Sequence, residues 1–159
     1  GQGIPVKVWG FLAMGRVHIH ILEEGESMNQ LLYAELIEDK FPEWCDYCEY
    51  LVCDYEGCIR CSLALDALKK VGLRLMDGYP RTSQDFNAIE NVWKVVRDRL
   101  DVTIPQHNES RDEFIRRYLA AVRWVNSNRK DQLQYLSTNQ KERADDCLAQ
   151  KPPGGRTKW

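Results

Sequence analysis

Two acidic residues have the type and the setting for divalent-metal chemistry. Asp54 closes an apolar strand candidate, Tyr50-Leu51-Val52-Cys53, and Glu90 stands near the start of an amphipathic helix candidate that follows Ser83-Gln84-Asp85-Phe86-Asn87. A carboxylate at the exit of a buried strand and a second at a helix start can converge on one hard cation, which takes carboxylate oxygens and polarises bound water. Spacing of this kind is common. The bland alternative is a solvated strand end and a helix N-terminus whose dipole favours an acid.

The thiols offer a second chemistry. Six cysteines stand at 45, 48, 53, 58, 61 and 147, so Cys45-x-x-Cys48 and Cys58-x-x-Cys61 fall within seventeen residues. Paired CxxC units signal a four-thiolate zinc site. A strand from Tyr50 to Asp54 opposes it, because at about 3.3 Å per residue it separates the pairs by roughly 15 Å, whereas zinc holds thiolates at about 2.3 Å. The expectation is therefore reduced thiols in an intracellular protein, packed as small hydrophobes. His18 and His20 share a strand face by the two-residue period and could ligate a metal. The competing expectation is a polar outer face, with Val17, Ile19 and Ile21 turned inward.

These groups need a frame. At 159 residues and 43% hydrophobic content the chain fits one domain with one good core. It contains no run of eighteen apolar residues, so no membrane insertion is expected. Gly1 to Pro5 lacks the blocks of a secretory signal. The net charge of -2 divides into 7 Lys/Arg against 13 Asp/Glu over residues 1–80 and 15 against 11 over residues 81–159. A polyanion such as DNA or RNA would meet the second half more readily, although the excess is small beside that of a strongly basic binding face.

Val6 to Phe11 and Val17 to Leu22 alternate as strands about a turn at Gly15, an antiparallel hairpin. Ser27 reads as the N-cap of a helix with Leu31, Leu32, Glu35, Leu36 and Phe41 on one stripe, ended by Pro42. Tyr50 to Asp54 is a strand, Gly57 a turn, Ser62 to Val71 a helix and Leu73 to Met76 a short strand. The loop Asp77 to Gln84 leads to a helix from about Asn87 with the stripe Ile89, Val92, Trp93, Val96 and Leu100, and Pro105 ends that unit. Ser110 opens a helix with Phe114, Ile115, Tyr118, Leu119, Val122 and Val125 on one face, followed by a polar helical segment from about Asp131 to Gln150. The order is that of an α/β protein with a mixed sheet flanked by helices.

Several of these segments, taken together, resemble the catalytic domain of Tc/mariner transposases. The points of likeness are Val6-Lys7-Val8-Trp9-Gly10, Cys53-Asp54, Leu75-Met76-Asp77-Gly78-Tyr79-Pro80, the block Ser83 to Trp93, and the closing Gly155-Arg156-Thr157-Lys158-Trp159. The resemblance implies a ribonuclease H-like fold: a core over residues 1–105, a C-terminal helical extension of the same domain over 106–150, and a tail over 151–159. It further implies Mg²⁺- or Mn²⁺-dependent cleavage and transfer of DNA strands, with Asp54 as the second acid and Glu90 as the third, and a nuclear location.

The first acid of that family has no counterpart in this sequence; it would sit on a strand before Val6. The His and Pro that commonly follow the second acid are absent from Asp54-Tyr55-Glu56-Gly57-Cys58-Ile59, and Gln84 and Ala88 replace two prolines. Two carboxylates balance the 4+ charge of two ions poorly, so this chain alone is expected to cleave DNA weakly or not at all. The alternative expectation is a domesticated structural or interaction subunit of a larger, possibly nucleoprotein, assembly. A protein partner would then complete the open sheet edge left where the first strand should pair.

Overall fold

In the computed structural model, the residues described are 5–45, 48–52, 57–76, 88–105 and 107–138. Asp54, Cys53 and Cys147, the loop 77–87 and residues 139–159, including the tail, lie outside them.

The chain opens with β1 (Val8–Ala13) and β2 (Arg16–Ile21), paired antiparallel from Val8 with Ile21 to Ala13 with Arg16. Met14 and Gly15 form the two-residue connection, with φ of 51° and 73°. Positive φ at both positions gives the turn whose twist matches the strands it joins. Gly15 accepts this freely, and its N–H donates to Ser137 Oγ at 2.8 Å. Met14 adopts it against the clash of its Cβ with the following carbonyl.

Helix α1 (Gln30–Trp44) follows. Its N-cap is Asn29, whose Oδ1 accepts from Leu32 N at 2.9 Å, and not Ser27, whose hydroxyl instead accepts from Lys7 Nζ. The helix also runs on past Pro42 to Trp44. Proline removes only the N–H that would reach Glu38, an exposed residue whose carbonyl water can satisfy. The buried stripe is Tyr33, Ala34, Leu36, Ile37 and Phe41, so of the expected stripe Leu36 and Phe41 are buried while Leu31, 60% exposed, and Glu35 lie outside it.

Strand β3 (Tyr50–Leu51) comes next, then a 3-10 turn over Gly57–Arg60, helix α2 (Ser62–Lys70) and strand β4 (Arg74–Leu75). β3 and β4 pair in parallel across the α2 crossover, and the bonds Arg74 N to Glu49 O and Met76 N to Leu51 O, both 3.0 Å, flank the pair. The remaining elements are α3 (Ala88–Val102), α4 (Arg111–Asn128) and α5 (Lys130–Thr138). Ser110 caps α4 in a reciprocal box with Glu113, satisfying two N–H groups that the first turn leaves unpaired. The protein is thus mixed α/β. Its described strands form two separate pairs, one antiparallel and one parallel, rather than one mixed sheet.

Both faces of the hairpin are covered. Trp9, Phe11 and Ala13 join Tyr33, Ile37 and Phe41 of α1, Leu51, and Ala64, Ala67 and Leu68 of α2. Trp9 stacks on Phe41 at 5.6 Å and meets Tyr33 edge-on at 5.3 Å. On the other face Leu12, Val17 and Ile19 join Val92 and Val96 of α3, Val125 of α4 and Leu133 of α5. Each large apolar side chain so buried contributes roughly 1.5–3 kcal/mol, so the hairpin is held chiefly as the shared wall of two cores.

The turn provides a check. Met14 is 53% exposed and gives up no core packing on substitution. Met14→Asn, which tolerates the left-handed region, should raise stability by about 0.5–1 kcal/mol in urea unfolding. A loss of stability would contradict the turn geometry.

Candidate functional site

Glu90 lies in the first turn of α3 and is exposed. The sequence places it there because Val92 and Val96 face the core, with Ile89, Trp93 and Leu100 flanking them. A helix start favours a carboxylate. What sets the rotation of α3 is Trp93, whose indole lies against Gly10 of β1 so closely that a Cβ at position 10 would fall within the ring. At its other end α3 is tied by Arg117 of α4. That guanidinium donates to Leu100 O at 3.1 Å and to both carboxylate oxygens of Glu109, an ion pair that holds the Glu109 carboxyl below its usual range.

Asp54, the other expected acid, lies outside the described residues. Among the described residues no group of three or more His, Cys, Asp or Glu gathers as a metal cage would. One carboxylate is too little for a cation that takes six or more oxygens. The described residues do not build a metal site, and one at Glu90 would need Asp54 and further ligands.

The expected outer position of the histidines is overturned. His18 and His20 do share a face, opposite Phe11 and Trp9 in the strand register. That face is the one covered by α1, and the His18 ring stacks on Trp44 at 4.9 Å. Burial and the nearby Arg16 charge lower its pKa to about 4, so the ring is neutral at pH 7. Alternation misled here because helices cover both sides of the hairpin.

The thiols pack where two helices meet loops. Cys45 is the buried C-cap of α1, its N–H donating to Phe41 O at 2.8 Å, and Cys48 N–H donates to Cys45 O at 3.0 Å. Burial pushes the Cys45 thiol up to about 12, with the neighbouring Cys48 adding to the shift, and burial raises Cys48 as well. Cys61 caps α2: its sulfur accepts from Ala64 N at 3.5 Å and its S–H donates to Cys58 O at 3.0 Å. These four are free thiols packed against the α1–α2 core.

Two features carried no sequence signal. Asn126 of α4 accepts from Val17 N at 2.8 Å and donates to Val17 O at 2.9 Å, so its amide pairs with the outer edge of β2 at Val17 as a neighbouring strand would. Trp124, also on α4, has the Arg99 guanidinium 4.3 Å and the Arg129 guanidinium 5.2 Å from its ring centre. No run of basic residues announces that cluster; the folding of α3 against the α4–α5 corner assembles it.

In comparison with known proteins, the chain matches no family model, and no curated protein is significantly similar to it. No helix among the described residues is long and apolar enough to cross a membrane.

The His18 environment gives a pH dependence with a definite sign. Its folded pKa lies below the unfolded value of 6.5. The unfolded chain therefore binds more protons between these values, and stability falls as pH drops from 6.5 towards 4. Urea midpoints across that range should decline for the wild type and decline less for His18→Phe. Equal slopes would refute the assignment.

Proposed function

We propose that this chain carries a transposase-derived domain of the ribonuclease H-like kind, in the lineage of the Tc/mariner strand-transfer enzymes, and that Asp54 and Glu90 are its metal-facing acids. The supporting observation is the order and placement of elements. An antiparallel hairpin is followed by a helix, a strand, a crossover helix and a parallel strand. Then comes α3, which bears exposed Glu90 in its first turn and packs on the hairpin face opposite α1. That is the order in which the resemblance brings the second and third acids to one end of a sheet. The ancestral reaction is metal-dependent DNA strand cleavage and transfer. Two acids alone would hold one ion weakly, so the role proposed for the residues present is binding rather than efficient turnover.

One observation favours a second reading, a domesticated interaction subunit. Val17 directs its N–H and C=O outward to Asn126, and Leu22 N donates to Lys7 O at 3.0 Å. By the alternation of antiparallel pairing, Val8, Gly10 and Leu12 therefore direct theirs away from β2. Among the described residues no partner meets them, and Tyr50 and Val52 stand likewise on the free side of β3. Free edges of this kind accept a strand from another chain.

Calorimetric titration with Mn²⁺ tests the first reading. The wild type should bind one ion with roughly millimolar affinity, and Glu90→Gln and Asp54→Asn should each weaken binding about tenfold or more. Identical affinity in all three proteins would overturn the paired-acid reading and leave the interaction subunit standing.

A further inference from the structure

A groove of about 380 Å³ runs beside α3 at the corner between α4 and α5. Its walls include Asn91, Lys94 and Arg99 from α3, Trp124 from α4, Arg129 between the two helices, and Gln132 from α5. The volume lies in the range of clefts that hold a small ligand or one nucleotide unit. Its chemistry is one-sided. Three cations and two side-chain amides offer N–H donors, against the single carboxylate of Asp98.

The cations are positioned by the fold. Arg99 and Arg129 both lie against the Trp124 ring, which holds two like charges close together and reduces the freedom of each guanidinium. Arg129 is further located as the C-cap of α4, its N–H donating to Val125 O and its carbonyl accepting from Leu133 N, both at 2.9 Å. Among the described residues none of Lys94, Arg99 and Arg129 is in an ion pair. Unneutralised cations at fixed spacing suit phosphate oxygens, which guanidinium forks bind with two parallel hydrogen bonds. The occluded ring of Trp124 offers little face for a base to stack on, so the contact is to backbone and not to sequence.

From this geometry we propose that the α3/α4–α5 groove grips the phosphodiester backbone of duplex DNA through Arg99, Arg129 and Lys94. The inference deepens the nucleic-acid reading given above and rests on it for the choice of DNA as occupant. Asn91 at the groove wall directly follows Glu90 in α3. A strand lying there would pass beside the candidate acid.

Fluorescence anisotropy with a labelled duplex of about 20 base pairs tests it, in EDTA and at about 50 mM salt, where non-specific binding is measurable. EDTA removes any divalent ion, so failure of the groove and failure of the Asp54 and Glu90 site are read separately. Binding in the micromolar range is expected, weakening with salt at a log–log slope of about -2 to -3 for three phosphate contacts. The pair Arg99→Gln and Arg129→Gln should lose at least about tenfold in affinity and reduce the slope by about 2, while Lys69→Gln, which removes an exposed cation of α2 outside the groove, binds as the wild type. Should the pair melt early in circular dichroism, Lys94→Gln and Arg129→Gln singly, both at exposed positions, must each lower the slope by about 1. Unchanged affinity and slope in folded variants would overturn the proposal. A nucleoside triphosphate binding as tightly as the duplex would overturn the choice of DNA.

Discussion

The indole of Trp93 against the bare Cα of Gly10 is the contact on which the arrangement of this protein depends. Gly10 is required there for space and not for an unusual backbone angle: any side chain would enter the ring. The contact brings α3 down onto β1 and sets its rotation. Val92 and Val96 then enter the core, Glu90 turns to solvent, and Asn91, Lys94 and Arg99 face the corner formed by α4 and α5. Adding even one methyl group forces packed neighbours to shift, at a typical cost of 1–3 kcal/mol. Both the candidate acid and the basic groove would move with the helix.

The hairpin bears this load because it is shared. One face belongs to the α1–α2 core and the other to the α3–α5 core. The two long edges are treated differently. Asn126 pairs with β2 at Val17, using a side-chain amide as a substitute for a strand at that one position. β1 has no such cover among the described residues, and Trp9 and Phe11 remain only half-buried although their neighbours are apolar. A backbone polar group buried without a partner costs about 1–3 kcal/mol, so the β1 edge must stay wet or be paired by another segment or chain.

Much of the framework was legible because local signals were redundant. The stripe Ile89, Val92, Trp93, Val96 and Leu100 located α3, Ser110 marked the start of α4, and Ser62 to Val71 outlined α2 to within one residue. The failures share a cause, which is competition between near-equal local choices decided by packing. Asn29 and Ser27 are both good N-caps, and Tyr33, Ile37 and Phe41 facing Trp9 selected Asn29. The histidine face read as outward because alternation assumes one wet side, and this hairpin has none.

For the candidate site, sequence located Glu90 in its helix and supplied Asp54 as a partner that the described residues do not include. It gave no hint of Asn126 or of the guanidinium pair on Trp124, in which Arg99 of α3 joins Arg129 at the end of α4 from thirty residues away along the chain. The paired cysteines pointed to zinc by spacing alone. Among the described residues Cys45 is a buried helix end and Cys61 a cap whose sulfur stands in for a hydroxyl.

The account centres on a hairpin whose outward backbone groups are met by Asn126 at Val17 and are unpaired among the described residues along β1, and backbone-amide hydrogen exchange on the isolated chain reads this residue by residue. Trp9, Phe11 and Ala13, bonded across to β2, should be protected, as should Val17 through Asn126, while Val8, Gly10 and Leu12 exchange orders of magnitude faster. Equal protection along the whole of β1 would mean that the edge is already paired, and would contradict the account.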